Sequence, residues 1–133
     1  MLVYCDSAVL IYHLDGNDPF RSRAQSRLTK LFAAQDRVAT SHLVRLECRV
    51  HPIRRNDLRS LQQIDQFFAH PDLVLLPLDQ STFDRATDIG ARWNFRATDA
   101  IHLAAAIEGG CGAFLTNDRR LTRFQGIPIE LLP

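Results

Sequence analysis

Four acidic residues, Asp6, Glu47, Asp99 and Asp118, stand at positions where carboxylates could do chemistry. Asp6 ends a short apolar run, and Asp118 follows a second apolar run by two residues. Because the carboxyl ends of parallel strands meet at one edge of a sheet, we expect both side chains at that edge. Asp99 falls in the first turn of a predicted helix, and Glu47 lies midway along another. Carboxylate oxygens are the ligands that hard cations such as Mg²⁺ prefer, so the four acids predict a divalent-metal site.

Each of these acids also has a structural interpretation. Asp6 and Asp99 suit helix starts because of the helix dipole, and Asp118 suits a turn. Glu47 could be solvated, although an acid on a largely apolar segment is costly to bury unless positive charge meets it. The joint placement of the acids favours the metal site, where a bound ion can activate water and neutralise charge on a phosphoryl group.

The predicted elements that position the acids alternate between strands and helices. Apolar runs predict strands at 2–5, 37–41, 73–76 and 113–116, and a fifth at 127–132 whose Pro128 suits a sheet edge. Apolar spacings of three and four predict helices at 7–14, 19–34, 41–50, 56–69, 79–93 and 98–108. The predicted caps are Asp6 or Ser7, Asp79 or Ser81, and Thr98. We therefore expect a three-layer α/β/α sandwich with a mainly parallel sheet of four to five strands, in a single domain spanning residues 1–133.

Composition excludes several classes of protein. The chain has 133 residues, a formal net charge of +1 and 46% hydrophobic residues, which is typical of one globular domain. No run is long enough for a membrane span, and an acid at position 6 interrupts any signal peptide, so we expect a cytoplasmic protein. Three widely spaced cysteines indicate neither a disulfide framework nor a zinc site. Fifteen of the 16 basic residues are arginine, whose planar fork suits phosphate.

The acid-bearing segments together resemble the PIN-domain nucleases, and in particular the VapC-type toxins of bacterial toxin–antitoxin pairs. The matching segments cover nearly the whole chain in the family's order: Cys5-Asp6-Ser7, residues 41–48 with Glu47, Thr98-Asp99-Ala-Ile-His-Leu-Ala-Ala-Ala106, and Leu115-Thr-Asn-Asp118. The Asp99 segment is the most specific of them.

This resemblance implies a fold, an activity and a set of site residues. Asp6, Glu47, Asp99 and Asp118 would form an acidic quartet that holds Mg²⁺ or Mn²⁺. Asp6 and Asp99 would be the principal ligands, and the other two would complete the site or act through water. The quartet would be supported by nearby polar groups: Ser7, Thr116 and Asn117. The implied activity is metal-dependent endoribonuclease cleavage of RNA, in a homodimer that a cognate antitoxin neutralises.

Arginine placement bears on how RNA would be held. Residues 45–59 carry a local charge of about +3 and residues 71–90 one of about −3, so the chain is polarised. Arg96 and Arg119 are the preferred phosphate contacts, since each lies within three residues of a proposed ligand. Any single arginine could instead form local ion pairs on a solvated face. We interpret His102 as a partly buried structural residue, with a catalytic role as the alternative.

Three other functions remain open at this point. A phosphatase of the haloacid-dehalogenase type would need a second Asp two residues after Asp6, where Ala8 stands. A receiver domain would need paired acids near the first strand and a late lysine, but the only lysine is Lys30. A catalytically silent PIN-like module that binds protein or RNA would carry the same motifs.

Overall fold

Five short strands form the sheet of the computed structural model, which describes residues 1–133. They are β1 (Leu2–Cys5), β2 (Arg37–Thr40), β3 (Val74–Leu75), β4 (Ala113–Thr116) and β5 (Ile129–Leu131). Every pairing is parallel, and the order across the sheet is β3-β2-β1-β4-β5. β1 therefore lies at the centre between β2 and β4, and β5 is an edge strand, as Pro128 predicted.

Six helices connect and cover the strands. They are α1 (Ser7–Asp15), α2 (Phe20–Ala33), α3 (His42–Arg54), α4 (Leu58–Phe68), α5 (Gln80–Trp93) and α6 (Ala97–Glu108). α1 contacts α2, α3 and α4, whereas α5 packs against α6. The chain moves one way from β1 to β3 and returns to reach β4, and right-handed crossovers put those two sets of helices on opposite faces. The predicted α/β/α sandwich with a parallel sheet is confirmed.

The core forms where β1 and β4 are covered on both faces. Val3, Tyr4 and Cys5 of β1 are fully buried, and so are Phe114 and Leu115 of β4. Continuous apolar runs without alternation are typical of such strands. The strand order reverses between β1 and β4, and ligands of parallel sheets bind outside the carboxyl ends at such a switch point. The fold therefore places a candidate site where Asp6 and Asp118 emerge.

Several element boundaries differ from the sequence prediction. α6 begins at Ala97 after the extended Arg96, so Thr98 lies inside the first turn and does not cap the helix. α3 continues past residue 50 to Arg54 and includes the buried Pro52, which cannot donate a backbone hydrogen bond. A 3₁₀ turn at Arg119–Arg123, which the sequence did not predict, follows β4. The predicted caps of α1 by Asp6 and of α5 by Asp79 are confirmed.

None of the six helices combines the length and the apolarity needed to cross a membrane.

Candidate active site

Asp6 is a buried carboxylate at the carboxyl end of the central strand. Its backbone N–H donates to the Leu115 carbonyl at 3.0 Å, which extends the pairing of β1 with β4. Its Oδ1 accepts from the Ser7 backbone N–H at 2.8 Å, and its Oδ2 accepts from the Thr116 hydroxyl at 2.8 Å. Burial raises the pKa of the Asp6 carboxyl, against the opposing effects of His102, Thr116 and Ser7. Asp6 thus has hydrogen-bond donors but no arginine or lysine partner.

Asp118 is tied to Asp6 through Thr116 and to Asp99 through Arg120. The Thr116 hydroxyl accepts from the Asp118 backbone N–H at 3.1 Å while it donates to Asp6. Arg120 Nη2 lies 2.5 Å from Asp118 Oδ2 and 3.7 Å from Asp99 Oδ2. Those two carboxylate oxygens are consequently no more than about 6 Å apart, within the reach of one hydrated metal ion.

Guanidinium groups neutralise the Asp99 and Asp118 carboxylates. Arg96, the residue that precedes α6, places its Nε 3.1 Å from Asp99 Oδ2. Arg120 also donates its Nε to Asp118 Oδ1 at 3.0 Å. This contact with Arg120 lowers the pKa of the Asp118 carboxyl, because positive charge favours the ionised form. The sequence predicted Arg96 near the site, but it did not single out Arg120.

Glu47 reaches the same region from α3 and contacts a buried hydrogen-bonded chain. Glu47 Oε1 lies 2.6 Å from His102 Nε2, and His102 Nδ1 lies 2.8 Å from the Tyr4 hydroxyl. That hydroxyl lies 2.9 Å from Ser41 Oγ. Burial raises the pKa of the Tyr4 phenol, so the phenol keeps its proton and can donate it to His102 Nδ1. His102 Nε2 then carries a proton directed at Glu47, which explains how a partly exposed acid on an apolar helix finds a polar partner.

The residue types at this edge fit a hard divalent cation. Four carboxylates and the Thr116 hydroxyl supply oxygen donors, which such ions prefer. In the arrangement seen here, no three His, Cys, Asp or Glu side chains converge closely enough to hold a metal ion between them. Arg120 instead lies between Asp99 and Asp118, where its guanidinium supplies positive charge. The metal-ligand assignments of the four acids stay predictions.

Some of the other residues predicted from the sequence lie near the four acids, and others form ion pairs elsewhere. Ser7 contacts Asp6, and the Asn117 amide donates to the Tyr12 hydroxyl at 3.3 Å. Arg119 is exposed at the start of the 3₁₀ turn. Several arginines of residues 45–59 are used in ion pairs away from the acids, as in the contacts of Arg45 and Arg49 with Asp65.

The four acids lie at the sheet edge and line none of the three main cavities of the molecule. One of these cavities, about 440 Å³, is lined by residues such as Phe32, Phe67 and Leu73. An open edge can admit a polymer strand from either side, whereas a closed pocket suits a small ligand.

Comparison with solved structures shows the same fold. VapBC2 from Rickettsia felis, bound to a DNA fragment from their promoter, is 14% identical over 100% of both chains with a TM-score of 0.82. DNA-bound VapBC from Salmonella typhimurium is 20% identical over 100% of both chains, with a TM-score of 0.77. VapC20 from Mycobacterium tuberculosis, a toxin that cleaves the sarcin-ricin loop, is 16% identical over 95% of this chain and 98% of that chain, with a TM-score of 0.73.

Sequence comparison identifies the family. No curated protein matches the chain at a significant level. The PIN domain family, however, matches residues 3–127, a span that includes all four acids. The chain therefore belongs to the PIN domain family.

Proposed function

We propose that this PIN-domain protein is a metal-dependent endoribonuclease, with residues 1–133 as its single nuclease domain. The observation that carries the proposal is Asp6, a carboxylate only 9% exposed at the strand switch point, with no basic side chain bound to it. A buried carboxylate of this kind is costly unless a cation binds it. PIN nucleases generally use divalent metal ions, which supports such a cation here.

The residues of the site can be given separate tasks. A divalent ion, Mg²⁺ or alternatively Mn²⁺, would supply Lewis-acid activation of water and neutralise charge on the phosphodiester. Asp6 and Asp99 are the proposed principal ligands, and Glu47 and Asp118 complete the set or act through water. Ser7 and Thr116 hold the Asp6 carboxylate in one orientation through their hydrogen bonds.

Substrate contacts are assigned to groups around the acids. Arg96 and Arg119 are the proposed phosphate-binding residues, because each lies beside an acid at the open edge. Ser7 and Asn117 are polar groups within reach of a strand lying along that edge.

Cleavage of single-stranded RNA with Mg²⁺, with Mn²⁺ and with excess EDTA tests the activity. We expect cleavage with metal only, and its loss in Asp99→Asn, because that change removes a charged ligand. Asp84→Asn, an exposed acid on α5, is the matched control and should cleave like the wild type. Equal cleavage in EDTA, or full activity in Asp99→Asn, would contradict the proposal.

A catalytically silent RNA- or protein-binding module is the second candidate. The guanidinium of Arg120 between Asp99 and Asp118 favours it, because an internal cation already neutralises half of the quartet. If the wild type binds RNA but shows no metal-dependent cleavage, this second function is correct. Membership of the PIN family leaves no reason to retain the phosphatase or receiver alternatives.

We further propose a role as the toxin of a toxin–antitoxin pair, acting as a homodimer in the cytoplasm. The similar structures from Rickettsia felis and Salmonella typhimurium are VapBC assemblies, which supports an antitoxin partner. Exposed apolar side chains, including Leu46, Ile53 and Phe83, support protein interfaces. Growth arrest on expression, relieved by co-expression of an adjacent small gene product, tests the pairing, and light scattering tests the dimer.

A further inference from the structure

A pair of stacked aromatic rings lies beside the acidic edge and has no part in the mechanism above. Tyr12 is near the end of α1, and Phe20 is the first residue of α2. Their ring centroids are 5.0 Å apart with an interplanar angle of 23°. Phe20 is 42% exposed, so one partner of the stack lies open to solvent. Part of the apolar surface of this stack is therefore free to contact a ligand.

Hydrogen bonds connect this aromatic pair to the catalytic acids. Asn117 donates its side-chain amide to the Tyr12 hydroxyl at 3.3 Å. Asn117 directly precedes Asp118, and it follows Thr116, whose hydroxyl donates to Asp6. The Tyr12 hydroxyl is therefore held by a residue that lies between two residues of the proposed site, Thr116 at the end of β4 and Asp118. A ligand that contacts both the acids and the rings has only a short distance to cover.

Positive charge surrounds the exposed ring. The guanidinium carbon of Arg23 lies 5.8 Å from the centroid of Phe20. α2 carries four basic residues and no acid, and of these Arg27 pairs with Glu130. Arg21 and Arg23 are exposed. A partly exposed aromatic ring beside arginines is a combination that binds single-stranded nucleic acid, since rings stack on bases and cations attract phosphates.

We propose that Tyr12, Phe20 and Arg23 form a stacking subsite for a nucleobase of single-stranded RNA that flanks the scissile phosphodiester. The proposal rests on the proposed function for the placement of that phosphodiester at the acids. The base stacks on Phe20, whose ring is packed against Tyr12, and Arg23, whose guanidinium lies over the Phe20 ring in the structure, turns to contact the adjoining phosphate. Stacking is tolerant of base identity, so this subsite contributes affinity and strand orientation more than sequence choice.

Binding of a fluorescently labelled single-stranded RNA of about 12 nucleotides, measured by anisotropy in EDTA, tests the subsite without any cleavage step. We expect Phe20→Leu to weaken binding about fivefold and Phe20→Ala by more, because the aromatic face is lost. Phe20→Tyr should restore it. Phe32→Leu is the matched control, since Phe32 is an exposed ring on the same helix that does not contact Tyr12, and it should bind like the wild type.

The outcomes separate this subsite from the nuclease activity. If Phe20→Leu and Phe32→Leu bind RNA equally well, the subsite is wrong even when the wild type cleaves RNA. If the wild type binds no RNA, the subsite is also wrong. If binding depends on Phe20 but metal-dependent cleavage is absent, the site stands as an RNA-stacking site, and the nuclease proposal fails together with the placement of a scissile phosphodiester beside it. When single nucleotides of the RNA are replaced by abasic ones, the affinity difference between the wild type and Phe20→Leu should disappear at one position. If this surface binds a protein instead, RNA affinity will be the same in all variants, which would contradict the proposal.

Discussion

Asp6 and Asp99 are equally exposed, at 9%, yet they are neutralised in different ways. Asp6 is bound by a hydroxyl and a backbone amide, and Glu47 beyond it contacts an imidazole. Asp99 and its neighbour Asp118 are bound by the guanidinium groups of Arg96 and Arg120. We call Asp6 and Glu47 the arginine-free pair, and Asp99 and Asp118 the arginine-bound pair.

The difference shows where the fold leaves a need for positive charge. Burial alone raises the cost of an ionised carboxylate, and a guanidinium partner offsets much of that cost. The pKa of Asp6 is raised and that of Asp118 is lowered, in line with their partners. An incoming cation would therefore gain most at the arginine-free pair, while at the arginine-bound pair it would compete with a side chain.

The largest expected effect comes from Asp6→Asn. Cleavage should fall about 1000-fold, because metal ions contribute several kcal/mol of transition-state stabilisation and a principal ligand is lost. The metal-free protein should meanwhile be as stable as the wild type or gain about 1 kcal/mol, because no buried charge remains. Cleavage assays and urea unfolding measure the two effects. Asp118→Asn is the comparison variant, and it should be less stable than Asp6→Asn because it loses its ion pair with Arg120. If Asp118→Asn is the more stable of the two, the distinction between the pairs is wrong.

A smaller effect is expected from His102→Gln, because His102 is the hydrogen-bond partner of Glu47, the second acid of the arginine-free pair. Glutamine can contact Glu47 or Tyr4 but not both, so the free energy of unfolding should fall by about 2 kcal/mol. Cleavage should fall about tenfold, the usual cost of losing a group that orients a ligand. Tyr4→Phe separates the two contacts, since it keeps Glu47 bound to His102. His51→Gln, an exposed histidine on α3, is the control, and unchanged cleavage in His102→Gln would show that Glu47 needs no such support.

Arg120→Gln should alter the arginine-bound pair alone. Removing the guanidinium frees Asp118 and leaves Asp99 paired with Arg96 alone, so Mg²⁺ should bind the metal-free protein about threefold to tenfold more tightly. Calorimetric titration of the metal-free protein measures this directly. Arg92→Gln changes the net charge equally, but Arg92 pairs with Asp88 on α5, so its Mg²⁺ affinity should stay at the wild-type value. Weaker Mg²⁺ binding in Arg120→Gln would mean that Arg120 supports the site and does not compete there.

The smallest effects concern the pH dependence of stability. Asp6 has a pKa raised above its ordinary value of 3.8, so its contribution to stability falls as pH rises from 3.8 through the raised value. Asp118 has a lowered pKa, so its contribution is present above pH 3.8 and is lost as pH falls through the lowered value. The free energy of unfolding should be measured between pH 3 and pH 7. Asp6→Asn should reduce its pH dependence above pH 3.8, and Asp118→Asn should reduce it below pH 3.8, each by about 1 kcal/mol or less. Identical pH profiles for the two variants would contradict the assigned directions.

The sequence predicted most of the framework because local patterns determine it. The apolar runs at β1 and β4 and the helix-forming segments between them are visible from residue spacing. The placement of Asp6 and Asp118 at one edge then follows from parallel-sheet geometry. Boundaries were less predictable: Thr98 resembles a cap, yet the extended backbone of Arg96 starts α6 one residue earlier.

Contacts between distant residues were not predictable in the same way. Tyr4 and His102 are 98 positions apart, and nothing in either local pattern indicates that their side chains meet. The position of Arg120 between two acids depends on the 3₁₀ turn, which brings its guanidinium back over Asp118. The exposure of Phe20 was likewise hidden, because its spacing fits the apolar stripe of α2 and only the structure shows it outside the core.

The central position of β1 has a consequence for the time at which the proposed site can exist during synthesis. β1 pairs with β4, and its first residues are made more than 100 positions before Asp118. A growing chain that has reached only α6 holds Asp6, Glu47 and Asp99 but lacks Thr116 at the end of β4 and Asp118 just after it. The edge of the sheet is therefore completed late, and the proposed site cannot assemble until β4 and the residues after it have left the ribosome.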